Sequence, residues 1–326
     1  MILKDIYGRS ISYLRVSLTE KCNLKCGYCY GGPGNGGVLK PQLSDDALFK
    51  LIKAFSFMGI DKIRYTGGEP LLRERVADMI KETSKIESFK IIGLTTNGVL
   101  LGPRLDSLVG AGLNRLNISL DSLDRKTYAG ITGKDCLGSI LDAIDLALQY
   151  DVFGHIKINI VVMRGINHNE APRFAEWALD KKIDLRFIEF MPGYKSGWGE
   201  ELFVGEDEIK KRIGIKLDPL SIGESNSGPA KSFRYGDYPG RISFISAVSR
   251  GFCVNCNRLR LTSKGDLVGC LFDSKSVNLG AVVENSDSIE EIASVLKKIF
   301  AEQLYRKSPD VKIINGCEPS MRKIGG

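Results

Sequence analysis

Histidine is nearly absent: His155 and His168 are the only two in 326 residues. A metal site built from several imidazoles is therefore excluded. No apolar run approaches the ~20 residues that a membrane-spanning helix needs. The start, Met1-Ile2-Leu3-Lys4-Asp5, carries charges where a secretory segment would be apolar. The expected location is the cytoplasm, where thiols stay reduced, and no membrane partner is expected. Hydrophobic residues at 43% and charged residues at 26% exclude a disordered chain. The net charge of +7 suits an anionic substrate but is too diffuse to indicate nucleic acid. Against these absences stand eight cysteines. In a reducing compartment they are metal ligands, catalytic groups or packing, seldom disulfides.

Short β-like runs at 13–19, 63–66, 91–95, 115–120, 156–162 and 185–189 alternate with helical patterns at 45–58, 72–85, 105–111, 137–150 and 170–181. Such alternation predicts βα units around a parallel sheet. Six units would make an incomplete barrel, although a doubly wound open sheet gives the same alternation. The run Gly31-Gly32-Pro33-Gly34-Asn35-Gly36-Gly37 is a loop by composition. The stretch 192–238 is expected to cross into a second part, with strands at 241–246 and 258–262 and an amphipathic helix at 288–304. The segment 320–326 would ordinarily be a frayed end.

Cys22, Cys26 and Cys29 form a C-x3-C-x2-C group directly after the first strand. Chance would place that spacing in a chain of this cysteine content roughly 0.005 times, so coincidence explains it poorly. Three thiolates from one tight loop can hold three corners of a [4Fe–4S] cube and leave one iron open, as catalytic sites require. Zinc with a distant fourth ligand is the alternative. Cys253, Cys256 and Cys270 make a second triple, C-x2-C-x13-C, which fits a second cluster or a zinc ribbon. Cys136 and Cys317 read as ordinary residues.

Residues two apart share a strand face. Lys62, Arg64 and Thr66 do so, as do Asn117, Ser119 and Asp121, Lys157 with Asn159, and Arg258 with Arg260. If the apolar faces meet helices, the cations point inward. Buried cations need anionic partners, and these strands offer few carboxylates, so a polyanionic ligand is expected. At the end of the second strand, Thr66-Gly67-Gly68-Glu69-Pro70 allows close backbone approach, as a cradle for part of a cofactor would need.

These motifs resemble the radical S-adenosylmethionine (SAM) enzymes, and among them the GTP 3′,8-cyclases of molybdenum cofactor biosynthesis. The narrowing features are Leu14-Arg15-Val16-Ser17-Leu18-Thr19, Leu94-Thr95-Thr96-Asn97-Gly98, Asn117-Ile118-Ser119-Leu120-Asp121-Ser122, Arg186-Phe187-Ile188-Glu189-Phe190-Met191-Pro192, Cys256-Asn257-Arg258-Leu259-Arg260-Leu261-Thr262 and the terminal Gly325-Gly326. The resemblance implies an α/β fold: an incomplete (β/α)6 TIM-like barrel over 1–195, and a C-terminal region over 196–326 that closes it and carries a second cluster. By position, Cys22, Cys26 and Cys29 would hold a [4Fe–4S] cluster that binds SAM. Tyr28, Gly68, Ser119 and Met191 would contact SAM. Cys253, Cys256 and Cys270 would hold a second [4Fe–4S] cluster that engages guanine. Arg15, Arg64, Thr95, Lys157, Arg258, Leu259 and Arg260 would contact GTP, and the Gly325-Gly326 tail would reach into the site.

The implied reaction is radical: reductive SAM cleavage, removal of the 3′ hydrogen of GTP, and attack of the carbon radical on guanine C8. No acid–base residues are then required. The implied partners are GTP, a low-potential electron donor and the downstream cyclic pyranopterin monophosphate synthase, with a homodimer among the compatible assemblies. Two departures stand out. Tyr30 and a glycine-rich loop follow the third cysteine where the family usually has Met-Pro, and the basic segment expected around 278–285 is weak. A peptide-modifying radical SAM enzyme with one auxiliary cluster and a zinc-containing nucleic-acid-binding protein are the competing readings. The first typically carries more C-terminal cysteines, and the second would intersperse aromatics among its basic residues.

Overall fold

The computed structural model describes residues 3–30, 42–191, 199–220, 229–250, 253–271 and 275–302. Eight strands run parallel: β1 (Tyr13–Ser17), β2 (Lys62–Thr66), β3 (Ile91–Thr96), β4 (Arg115–Ser119), β5 (Ile156–Val162), β6 (Ile183–Glu189), β7 (Arg241–Ile245) and β8 (Arg258–Leu261). Their spatial order is β8-β1-β2-β3-β4-β5-β6-β7. From β1 to β6 each strand lies beside the next one in sequence. Parallel crossovers are right-handed, so a chain that always advances in one direction puts its helices on one face. A doubly wound sheet would reverse direction once. The strand order thus gives the incomplete barrel and removes the open doubly wound alternative.

The C-terminal part supplies both flanking strands, β8 beside β1 and β7 beside β6. Antiparallel strands extend each edge: Asp266–Val268 and Ser276–Asn278 beyond β8, Lys231–Arg234 and Asp218–Pro219 beyond β7. Among the described residues β7 and β8 do not pair with each other, so the barrel stays open there.

The longer helices are α1 (Asp45–Ser56), α2 (Val76–Ser84), α3 (Leu105–Gly110), α4 (Arg125–Thr132), α5 (Leu137–Ala147), α6 (Ala171–Trp177), α7 (Glu206–Ile213) and α8 (Ile289–Glu302). Ser44 caps α1 by accepting from Ala47 N–H, with Asp45 and Asp46 in the first turn. Leu48, Leu51 and Phe55 of α1, Ile80 of α2 and Ile140 of α5 share one buried cluster with Leu14, Ile63, Leu94, Ile118, Ile158, Leu185 and Leu259 of the strands. The strands therefore turn their apolar faces outward to the helices. Helix α8 packs on α1, which ties the C-terminal part to the first βα unit. None of the described helices is long and apolar enough to cross a membrane.

Two of these eight helices fall outside the sequence reading. Helix α4 is short, but Asp124 caps it and Gly133 ends it with φ of 74°. Helix α7 lies inside the stretch read as a crossing. Its signals were present: Glu206, Asp207 and Glu208 in the first turn, Lys210, Lys211 and Arg212 in the last, and Gly214 after it.

Candidate active site

The first cysteine triple follows β1, at the C-terminal ends of the parallel strands where barrels place their chemistry. Gly27–Tyr30 forms one helical turn, and Cys29 N–H donates to the Cys26 carbonyl at 3.0 Å. The Gly-Gly turn after β2 backs this loop. Gly68 N–H donates to the Thr19 carbonyl at 2.6 Å, and Glu69 N–H donates to that of Lys21 at 2.8 Å. A Cβ on Gly68 would lie 2.3 Å from the Lys21 carbonyl oxygen. The close approach that demands glycine here is made by the cysteine loop itself. Gly68→Ala should push that loop away, and a shift of about 1 Å costs a positioned reaction about 100-fold. Measured SAM cleavage would check this; a rate within twofold of wild type would refute it.

Glu69 is fully buried and locks the ends of β2 and β3 together. It accepts from Leu71 N–H at 3.0 Å, Thr96 Oγ1 at 2.8 Å and Asn97 N–H at 2.8 Å. Burial raises its pKa to about 7 against these donors. Asn97 Nδ2 in turn donates to Asn23 Oδ1 at 2.7 Å and reaches Cys22 Sγ at 3.8 Å.

Burial pushes the Cys26 thiol pKa well up, with Asp121, Cys29 and Cys22 adding to the shift. The Cys26 sulfur thus sits in a low-dielectric neighbourhood, near enough to Cys22 and Cys29 to feel their charge, that resists a loose thiolate and accepts a bound cation. Three soft sulfur donors and no histidine suit iron–sulfur ligation. Among the described residues, no three side chains of His, Cys, Asp or Glu are drawn together into a metal-binding cluster. The donor set fits a cluster by its chemistry and its shared loop.

Tyr28, Gly68, Ser119 and Met191 all lie at or just beyond the C-terminal ends of β1, β2, β4 and β6. Tyr28 hydroxyl donates to Asp121 Oδ2 at 2.7 Å, while Asp121 Oδ1 accepts from Val161 N–H at 2.8 Å. Burial raises the Asp121 pKa to about 6, opposed by the Tyr28 bond. This pair fastens the cysteine loop to β4 and β5.

The inward face of the sheet is polar. Register places Arg260, Arg15, Arg64 and Gly93 side by side, and below them Arg258, Tyr13 and Lys62. Thr95, Asn117, Lys157 and Asp184 form another row, and Ser119, Asn159, Arg186 and Ser243 the row above it. Arg64 lies across Gly93. Its Nε donates to Tyr13 hydroxyl at 2.9 Å, and its Nη1 donates to Leu94 carbonyl at 3.0 Å and Asn117 Oδ1 at 2.9 Å. Arg186 pairs with Asp184 at 2.8 Å. Among the described residues Asp184 is the only carboxylate on this face of the eight strands.

The crowding of positive charge shows in the ionisation of its members. Burial draws Lys62 down to about 8, opposed by Tyr13 and reinforced by Arg64, Arg186 and Arg258. Burial draws Arg15 down to about 10, opposed by Tyr13 and reinforced by Arg258 and Arg64. Lys157 falls well below the usual lysine range through burial, then through Arg186 and Arg64. Burial alone would raise Tyr13, yet Arg64, Arg15, Lys62 and Arg258 hold it at about 7. A polyanion entering this space would relieve the repulsion.

The second triple lies at the opposite end of the barrel. Cys253 and Cys256 precede β8, with Cys256 N–H donating to the Cys253 carbonyl at 3.2 Å. Arg258 is level with Tyr13 at the start of β1. The β8 hairpin pairs Arg260 with Val268. Carried onward, that register sets Cys270 opposite Arg258, two residues from Cys256. Arg9 Nη1 donates to the Cys253 carbonyl at 2.8 Å while its Nε pairs with Asp5 at 2.7 Å, so the N-terminal arm braces this turn.

Arg15, Arg64, Thr95, Lys157 and Arg260 therefore share one interior with Arg258 at its lower edge. Leu259 points the other way, fully buried in the outer core. Any ligand contact at that position falls to its backbone. Tyr13 and Asp184 belong to the polar interior and were not singled out from sequence; their register with Lys62 and Lys157 is a tertiary fact. Cys136 sits with its sulfur 3.8 Å from the Tyr128 hydroxyl. Gly31 to Gly37, Cys317, Gly325 and Gly326 lie outside the described residues.

A family profile described as the Radical SAM superfamily matches residues 16–178, and one described as Molybdenum Cofactor Synthesis C matches 183–313. The chain is 41% identical over 299 residues to a GTP 3′,8-cyclase of Thermodesulfovibrio yellowstonii, covering 91% of this chain and 92% of that one. It is 38% identical over 328 residues to a GTP 3′,8-cyclase of Clostridium perfringens, covering 99% and 100%. Among solved structures, Streptococcus suis SuiB bound to S-adenosylmethionine superposes with a TM-score of 0.63 at 15% identity, over 90% of this chain and 67% of that one. That likeness speaks for the fold alone.

Proposed function

Because the chain belongs to the radical SAM superfamily and, within it, to the GTP 3′,8-cyclase family, we propose that it converts GTP to (8S)-3′,8-cyclo-7,8-dihydroguanosine 5′-triphosphate, the first step of molybdenum cofactor biosynthesis. Cys22, Cys26 and Cys29 would hold one [4Fe–4S] cluster and Cys253, Cys256 and Cys270 the other. When bound, the clusters and SAM supply the one-electron chemistry that opens the substrate C–H bond. The chain's own residues do the rest by position. Tyr28, Gly68, Ser119 and Met191 would bound SAM at the C-terminal ends of the strands. Arg15, Arg64, Lys157, Arg258 and Arg260 would hold the triphosphate, with Thr95 and the backbone of Leu259 completing the GTP site. Burial of Arg64, Lys157 and Arg260 in this interior strengthens each charge contact they make.

The observation that supports this reading most is the cation-lined interior lying between two cysteine triples at opposite ends of one barrel. A nucleoside triphosphate set between them meets SAM chemistry on one side and a second cluster on the other. The unit 1–195 would supply the SAM half and 196–326 the second cluster, with Gly325 and Gly326 reaching inward. A low-potential external donor would deliver the electron, and cyclic pyranopterin monophosphate synthase would take the product. The working compartment would be the cytoplasm, with a homodimer among the compatible assemblies.

Anaerobically reconstituted protein should hold about eight irons, two cubes of four. With SAM, reductant and GTP it should release 5′-deoxyadenosine together with a cyclised nucleotide. Iron that stops near four per chain, or SAM cleavage indifferent to GTP, would sink the reading.

A further inference from the structure

On the inward face, the side-chain oxygens Thr95 Oγ1 and Asn159 Oδ1 are buried without a hydrogen-bond partner among the described residues. Thr95 already belongs to the proposed GTP set, while Asn159 has no role in it. Its backbone is fixed, paired with Ser119 on one side and Arg186 on the other. Leu120 N–H also donates to its carbonyl at 3.0 Å. The side chain is therefore held in place with nothing among the described residues for its oxygen to accept from. Buried acceptors are rarely left so, and a ligand is what completes them.

The level of Asn159 narrows the ligand. Ser119, in its row, is a proposed SAM contact, and Lys157, a proposed GTP contact, lies two residues back along the strand. Two residues of strand span roughly 7 Å, so Asn159 stands where the two ligands meet. Phosphates at this level would turn to Arg186 and Lys157; a neutral carboxamide oxygen suits a hydroxyl donor instead. We propose that Asn159 accepts a hydrogen bond from a ribose hydroxyl at the meeting point of SAM and GTP, and so makes the site selective for that hydroxyl. The inference rests on the functional reading above.

The test uses anaerobic holoenzyme, wild type and Asn159→Leu, with iron content confirming that both variants keep their clusters. Affinities are measured for GTP, 2′-deoxyGTP, 3′-deoxyGTP and, separately, SAM. Wild type should prefer GTP to one deoxy analogue by at least about tenfold, because a site built around a hydroxyl rejects the analogue without it. In Asn159→Leu that preference should shrink to within about twofold. If the preference persists and SAM affinity falls about tenfold instead, the hydroxyl is that of SAM and the proposal holds. It is overturned if wild type shows no preference and SAM binding is unchanged. It is also overturned if Asn159→Leu weakens GTP and both analogues equally, as a packing defect would. Asn159→Ala repeats the measurement should leucine disturb the fold. Wild type that binds no GTP refutes the functional reading; GTP binding with both the preferences and the SAM affinity unaltered in the variants refutes this inference alone.

Discussion

Cys26→Ala protein should hold about four irons in place of about eight and should release no 5′-deoxyadenosine above background. Product formation should fall by at least about 10⁴-fold, because the lost cluster supplies chemistry that no side chain here can replace. The reason lies in the loop: Cys26 is a buried sulfur that Cys22 and Cys29 already act on, and an alanine leaves two donors for a site that needs three. Cys256→Ala should also lose about four irons yet keep its affinity for SAM, since the second triple lies at the other end of the barrel. Cys136→Ala, whose sulfur lies beside the Tyr128 hydroxyl, should leave iron content unchanged. Iron assay, SAM titration and product analysis separate the three variants. A Cys26→Ala protein with full iron, or a Cys256→Ala protein that no longer binds SAM, would contradict the two-ended arrangement.

Gly93→Val should weaken GTP binding about 10- to 100-fold, the scale of losing one well-placed charged hydrogen bond. Position 93 carries no catalytic group. A Cβ there would lie 2.7 Å from the Arg64 guanidinium carbon, which rests in the space the glycine leaves. The guanidinium is the movable partner, so it would give way and break its bonds to Tyr13, Leu94 and Asn117. Overpacking of this kind also costs about 1–3 kcal/mol of stability. SAM affinity measured without GTP should stay at its wild-type value, because the cysteine loop and its Asp121 anchor lie beyond the C-terminal ends of the strands, whereas Gly93 is mid-strand beside Arg64. A folded Gly93→Val protein whose GTP affinity lies within twofold of wild type would refute the assignment of Arg64 to the substrate.

Much of the site was legible because its signals are local. Cysteines three and four apart must share a loop, whatever the fold. Lys62 and Arg64 must share a face because strand side chains alternate. What stayed hidden depends on pairing between distant segments. Tyr13 gave no sign of its role until β1 lay between β2 and β8, where four cations surround it. Asp184 became the counter-charge of the interior only when β6 took its register beside Lys157. The Gly-Gly turn suggested a cradle for a cofactor; the tertiary structure shows that the backbone pressing on Gly68 belongs to the cysteine loop. Helix α7 was missed for another reason. Its capping and charge pattern was present, but few apolar residues gave it a visible period.

The sequence by itself determined the chemistry: two sulfur triples, almost no histidine, and strands whose polar residues recur every second position. Those properties follow from spacing along a few residues, where covalent geometry leaves little choice. The tertiary structure decided where that chemistry sits. Strand order β8-β1-β2 and the turn-back of the β8 hairpin set the second triple at the opposite end from the first, with the cations between them. No local period encodes this, because it rests on hydrogen-bond register between segments more than two hundred residues apart, such as Arg260 beside Arg15.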